Sequence, residues 1–529
     1  MLRSTFANNG MVVAPHHLAA ETGRDVLRDG GNAIEAVVAA AATIAVVYPH
    51  MNSIGGDGFW LIRPPNQTPL GIDACGASAK LATSKYYKSK GYKKIPTRGP
   101  DAALTMAGTV SGWQSALSLS EKLGGRLPLK RLLNDAILYA KKGMAVTEGQ
   151  KRNTDEKYNE LIKIPGFGDH FLIEGRQPEV GEVFRQEKLA ATIEYLSDAG
   201  LDDFYKGDIA KSISEDLASI GSPIKLEDFT NHQSTLKNPL SLKIKGGTLF
   251  NLPPPTQGLA SLLILGAFEK LSCSSAESFE FVHYLVETTK QAFSIRDLHI
   301  TDPSYMQANP ETFLQDSIIS SLATAVDKRV ARNWKREEET GDTVWLGAID
   351  KDGMAVSFIQ SIYWEFGSGV VLPHTGITWQ NRGASFSLVE NSRNELKVGR
   401  KPFHTLNPAM ASFDDGSVFS YGTMGGEGQP QTQAAIFARH IWFGQNLQQA
   451  ISAPRWLLGR TWGEDSSNLK VESRFSKELI DSLIEAGHDV VQVDPYSDLM
   501  GHAGGLILKP GGLIEAGADP RSDGRACGY

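Results

Sequence analysis

The chain has 529 residues, 41% hydrophobic, 21% charged and 9% aromatic, a balance that buries a large core and excludes a disordered or low-complexity protein. Its formal charge of −7 is spread without a long basic stripe, which argues against nucleic acid as a partner. Three cysteines, Cys75, Cys273 and Cys527, form neither a disulfide framework nor a paired metal-ligand spacing, and a reduced cytosol fits them best.

From the amino terminus, MLRSTFANNGMVVAPHHLAAETG carries one Arg but no apolar core of signal-peptide length and no small-residue cleavage site, so export by that route is not expected. Helix-like apolar spacing runs through His16 to Arg28 and Ala33 to Val47, with Gly30-Gly31-Asn32 between them as stop and cap. The most apolar stretch, Ala36 to Tyr48, has 13 residues and ends at Pro49, too short for a bilayer and suited to a buried helix. Helical patterns recur at 110–145, 187–220 and 258–298, so the first half reads as mainly helical. Pro253-Pro254-Pro255 cannot continue a ladder or a helix and marks a rigid loop feeding the next helix.

Near residue 327 the character changes. Asp327 to Thr340 holds nine charged residues and predicts an exposed, mobile segment. Two β-rich runs follow, Thr343 to Ile349 and Met354 to Ser361, around Asp350-Lys351-Asp352-Gly353, which predicts a hairpin. Further strands are expected at Gly383 to Val389, Val418 to Tyr421, Asp489 to Val493 and Gly505 to Leu508, with helices at Gln431 to Phe443 and Ser476 to Ala486. Layers of sheet covered by helices follow from that mixture.

A threonine that opens a strand after a charged segment invites one chemical reading. Scission between Asp342 and Thr343 exposes an α-amine whose ordinary pKa is about 7.7 to 8.0, low enough to accept the proton of its own Oγ near neutral pH. The β-branch restricts χ1 and so limits where Oγ points. The bland alternative is a strand threonine favoured for β-propensity.

Motifs along nearly the whole chain bear on that choice. Gly30-Gly31-Asn32-Ala33, Pro49-His50-Met51 through Ile54-Gly55-Gly56-Asp57-Gly58-Phe59, Pro253-Pro254-Pro255 with Gly258, and Asp519-Pro520-Arg521-Ser522-Asp523-Gly524 with Gly528-Tyr529 resemble, in order, the signatures of the gamma-glutamyltransferase family of N-terminal-nucleophile hydrolases. The resemblance implies a four-layer αββα sandwich and a proenzyme that cuts itself before Thr343. Attack of the Thr343 hydroxyl on the Asp342 carbonyl, an N-to-O acyl shift and hydrolysis would leave a large fragment, 1–342, and a small one, 343–529. The two would stay associated non-covalently as one composite domain, acting singly or as a dimer of the pair. It implies further that Gly425 and Gly426, in Tyr421-Gly422-Thr423-Met424-Gly425-Gly426-Glu427-Gly428, hold the oxyanion with their amides, whereas the bare motif more commonly marks a phosphate cradle or a plain turn. Ser361 falls where the family has a second threonine beside the nucleophile, and a hydroxyl there can accept from the α-amine.

The departures from the family point to the substrate. The segment Asp73 to Thr83 lacks the arginine that grips an α-carboxylate, Ser385 stands near the place of the acid that grips an α-amine, and the paired serines become His404-Thr405. In exchange come Arg382, at a family glutamine, and Tyr363, at a family asparagine. Arg382 offers a planar fork for a carboxylate, the alternative being a structural ion pair or a surface side chain; His404 binds substrate or supports Thr405; Tyr363 walls the pocket. A small acidic amide is thereby implied, oxamate split to oxalate and ammonia in purine-nitrogen breakdown, with no metal, organic cofactor, nucleic acid or membrane involved. The alternatives are a gamma-glutamyl hydrolase or transferase, a glutaryl or cephalosporin acylase, and a binding protein that is never processed.

Overall fold

The computed structural model describes residues 3–334, 342–459 and 467–529, together with the backbone but not the side chain of Asp342. Two seven-stranded sheets stack face to face. Edge to edge, the first runs Arg525–Gly528, Gly10–Ala14, Asp342–Asp350, Ala355–Tyr363, Asp57–Arg63, Leu70–Ala74 and Thr235–Lys237. The second runs Thr5–Ala7, Ile514–Ala518, Ala503–Leu508, Val418–Thr423, Ala409–Phe413, Gly247–Asn251 and Leu240–Ile244. Neighbours in both sheets are antiparallel. Each sheet takes strands from both sides of residue 343.

Three apolar layers hold this stack. Phe59, Leu61, Trp345, Ile359, Met410 and Leu506 fill the space between the sheets. Helices His17–Arg28 and Ala33–Val47 pack on the outer face of the first sheet. Gly258–Glu269 and Gly428–Phe437 pack on the second, with Phe279–His299 laid against these two helices, which completes an αββα sandwich of the N-terminal-nucleophile hydrolase type. Among the described residues no helix is long and apolar enough to cross a membrane.

The helix Ala33–Val47 shows how sequence selects its place. All its residues are buried, and its many alanines allow close approach on every side. Asn32 accepts from the N–H groups of Ile34 and Glu35, and Glu35 returns a bond to the Asn32 N–H at 2.9 Å, a capping box that contributes about 1 kcal/mol. The expected hairpin is present as Asp342–Asp350 with Ala355–Tyr363. Asp350 Oδ1 accepts from the Asp352 and Met354 amides at 3.0 Å each, and its Oδ2 accepts from the Ala33 amide at 2.9 Å. One turn residue thus ties the hairpin to the start of the buried helix.

One expectation is corrected. Residues 383–389 do not form a strand: Arg382–Ser385 is a single 3-10 turn, with Phe386 N–H bonded to Gly383 O at 3.0 Å. Asn381 N–H bonds Ile362 O at 3.2 Å, so the segment crosses over a strand end rather than joining the ladder, despite its β-favouring composition. The first half is mainly helical, as expected, and its strands such as Gly10–Ala14 and Asp57–Arg63 are buried on both faces and show no alternation. Of the charged run, Asp327 to Val330 are exposed, and residues 335–340 lie outside the described residues.

Candidate active site

Three strands of the first sheet bring a row of hydroxyl and carboxyl groups to the open end of the inter-sheet layer. Ser361 pairs with Asp57 across one ladder. On the other side Val344 faces Gln360 and Asp342 faces Tyr363, so Ser361 and Ile362 together stand opposite Thr343 and the bulge lies on Ala355–Tyr363. Side chains alternate along a strand, and Ile359 and Phe59 point between the sheets, so Ser361 and Asp57, each two residues away, point the same way. Thr343, Ser361 and Asp57 are all buried. A bulge re-aims the residues it carries, and here they include Ser361, opposite the threonine of interest. Ser361 Oγ accepts from Tyr363 N–H at 2.8 Å, and Tyr363 adopts φ 83°, a left-handed conformation rarely taken by an aromatic residue.

The second sheet supplies the facing loop. It leaves Val418–Thr423, turns through Gly425 at φ 117° and Gly426 at φ 51°, and enters Gly428–Phe437. Gly425 C=O accepts from Gly428 N–H at 2.7 Å, so the Gly426 N–H, on the opposite side of the same planar peptide, is aimed away from the helix. A buried network fixes the loop from behind. Gln257 Nε2 donates to Gly426 O at 2.8 Å and to Thr405 O at 2.6 Å; its Oε1 accepts from Arg296 Nη1 at 2.6 Å. Arg296 Nη2 in turn meets Glu427 Oε1 at 2.8 Å.

Between these walls sits a cation. Arg382 is 1% exposed, its guanidinium carbon lies 3.9 Å from the centre of the Tyr363 ring, and its Nη1 donates to Thr405 Oγ1 at 3.3 Å. It is therefore not a surface side chain. Next to it, His404 Nε2 lies 3.1 Å from Asp57 Oδ2, both side chains wholly buried. Asp57 Oδ1 accepts from Gly76 N–H at 2.9 Å, Gly108 N–H at 3.2 Å and Gln380 Nε2 at 3.1 Å. Burial raises the Asp57 carboxyl to about 7 against the pull of those donors and of Arg382. Burial first, then Arg382 and Lys401, holds the His404 imidazole well below the usual histidine range, so it is neutral.

The structure thus gathers Ser361, Tyr363, Arg382, His404 and Thr405, and links Thr405 to Gly426 through Gln257. Gly425 joins them as the next residue of the loop. Thr343 joins them by strand register, and the Asp342 side chain lies outside the described residues. Sequence reasoning missed Asp57, Gln257, Arg296, Gln380 and Glu427. The signal for Asp57 was a single acid opening an otherwise apolar strand. It also amends the expectation of a site without an acid, although its oxygens are occupied by protein donors and offer little to a substrate ammonium. Ser385 Oγ bonds its own turn at Arg382 O, 3.0 Å away. Among the described residues, the one group of metal-ligand type is His283, Glu287 and His488, far from these residues in its contacts. His283 Nδ1 and His488 Nε2 share a hydrogen bond at 2.8 Å and Glu287 is paired with Lys290 at 2.6 Å, so the group is satisfied as a structural network.

Comparison with known proteins covers the whole chain. A family model described as gamma-glutamyltranspeptidase matches residues 19–529. The oxamate amidohydrolase proenzyme of Klebsiella pneumoniae is 52% identical over 530 residues, covering 100% of both chains. The glutathione hydrolase-like YwrD proenzyme of Bacillus subtilis is 41% identical over 531 residues, again covering 100% of each. Among solved structures, a cephalosporin acylase from Bacillus halodurans superposes with a TM-score of 0.91 at 32% identity, covering 100% of this chain and 97% of that one.

Proposed function

We propose that this chain, which belongs to the gamma-glutamyltranspeptidase family, hydrolyses oxamate to oxalate and ammonia through an acyl ester on Thr343. It is a hydrolase of amide C–N bonds within a family of self-processing proenzymes. The observation that carries the substrate is the buried Arg382, stacked on Tyr363 and braced by Thr405 beside the glycine loop. A guanidinium held this way is pre-organised for a carboxylate. The 52% identity with an oxamate amidohydrolase proenzyme over the full length of both chains supports the same choice.

In this reading the intact chain is a precursor. Thr343 Oγ attacks the Asp342 carbonyl, the peptide becomes an ester, and water releases fragments of 342 and 187 residues. The freed α-amine then serves as the base for its own hydroxyl, with Ser361 Oγ holding it in line. Oxamate places its carboxylate on Arg382 and its amide carbonyl toward the amides of Gly425 and Gly426, which stabilise the tetrahedral oxyanion. Collapse expels ammonia, the α-amine returns the proton, and water activated by the same amine clears the oxalyl ester.

The test is direct. Mature protein, shown by mass spectrometry to be cut before Thr343, is incubated separately with oxamate, a gamma-glutamyl anilide and a glutaryl amide. Ammonia release from oxamate is expected, with little product from the other two. Cleavage of the anilide or the glutaryl amide alone would replace the substrate while keeping the nucleophile, and a persistent single chain of 57.4 kDa with no activity would remove both.

A further inference from the structure

One buried acceptor at the site has no partner within the protein. His404 Nδ1 makes no hydrogen bond among the described residues, although the ring is wholly buried. Its other nitrogen is committed. Above about pH 7 the Asp57 carboxyl is ionised; three N–H groups fill its Oδ1, and its Oδ2 can then only accept. Nε2 therefore carries the ring proton, and Nδ1 keeps a bare lone pair. A second proton is opposed by burial and by the neighbouring Arg382 and Lys401. The ring is also held in place. His404 N–H donates to Pro255 O at 2.9 Å, its C=O accepts from Gln257 N–H at 3.0 Å, and the Phe59 ring meets it edge-on at 4.8 Å. A buried acceptor kept empty carries a desolvation cost that a ligand hydrogen would recover.

We propose that His404 Nδ1 accepts an N–H of the substrate's carboxamide and that Asp57 is the positioning residue that sets its tautomer, so the site prefers an amide to the ester of the same acid. This rests on the reading of Arg382 as the carboxylate holder. Oxamate carries its carboxylate and its amide on adjacent carbons, and Arg382 donates to Thr405, the residue directly after His404, and acts on the His404 ring through its charge. With the carboxylate on one, the amide nitrogen falls to the other. An ester oxygen in place of that nitrogen would set one lone pair against another.

At pH 8, where the Asp57 carboxyl is ionised, the experiment compares kcat/KM for oxamate and for monoethyl oxalate in the mature wild type and in Asp57→Asn. Asparagine can accept the same backbone donors while offering its own N–H to Nε2, which moves the ring proton to Nδ1 and turns the acceptor into a donor. The amide-to-ester ratio is expected to fall at least about tenfold, the size of one lost hydrogen bond. Equal changes for both substrates would mean a merely structural Asp57 and would overturn the proposal. The wild type provides an arm independent of any variant's maturation: N,N-dimethyloxamate, with no N–H, should be turned over at least about tenfold less efficiently than N-methyloxamate. Equal efficiency would overturn it as well. A wild type inert toward oxamate sinks the assigned substrate, whereas a normal oxamate rate with unmoved ratios sinks only the role of His404.

Discussion

The two walls of the pocket are built by different means. On the side of the first sheet, Thr343, Ser361 and Asp57 owe their positions to strand register, one ladder beside the next. On the facing side, Gly426, Thr405 and Arg382 sit in loops and a short turn. There Gln257, Arg296, Glu427 and Tyr363 hold them with side-chain bonds and ring contacts. Register spreads the burden over many backbone hydrogen bonds, so single changes on the first wall should alter chemistry and spare geometry. The second wall depends on a few buried polar groups, each costly to orphan, so single changes there should alter geometry itself.

Substitutions can break or sharpen this contrast. The largest effect is expected for Thr343→Ala, which removes the attacking hydroxyl without disturbing the ladder. The chain should stay whole on a denaturing gel and activity should fall by about 10³-fold or more, with an unchanged circular dichroism spectrum. Arg382→Lys comes next. It keeps the charge but loses the planar fork and the stacking on Tyr363, so KM for oxamate should rise about tenfold to a hundredfold while processing continues. Gln257→Ala tests the second wall at a distance, because it frees two carbonyls that orient the glycine loop and Thr405. A fall in kcat of about tenfold with a smaller change in KM is expected, measured in steady-state assays. Were Gln257→Ala silent, the loop would be held by its own backbone and the contrast would dissolve.

The smallest effect is one of pH. Asp57 titrates near 7 in the folded protein, against about 3.9 for an unfolded carboxyl, under the influence of Arg382 and with His404 as its partner and Cys75 and Tyr205 nearby. Between those values the native state holds a proton that the unfolded chain has released, so this group lowers stability as pH rises through that window. Asp57→Asn does not titrate. Its thermal midpoint relative to wild type should therefore improve from pH 5 to pH 8, by about 2 °C in scanning fluorimetry. The substitution would stabilise the fold while costing selectivity.

What was readable in the chain follows the same division. The buried helix after Asn32 and the hairpin around Asp350 are encoded by neighbours a few residues apart, and both are present with nearly the expected bounds. The strand assigned to residues 383–389 failed because β-favouring side chains there serve a crossing turn, which only tertiary contacts decide. Asp57 and His404 are 347 residues apart, and Gln257 and Gly426 are 169 apart. No local pattern marks such pairs. Family motifs flagged His404 and Gly426 as members of the site, yet not the side chains that hold them.

The interleaving of the sheets has a consequence for the cut protein. A break before Thr343 would leave the shorter piece contributing paired strands flanked by those of the longer piece. Five ladders would join the two: Gly10–Ala14 with Arg525–Gly528 and with Asp342–Asp350, Asp57–Arg63 with Ala355–Tyr363, Thr5–Ala7 with Ile514–Ala518, and Gly247–Asn251 with Ala409–Phe413. Such pieces resemble the teeth of two meshed combs more than a pair of docked globules. They should neither exchange with labelled counterparts nor drift apart on dilution, and should separate only when the fold is lost.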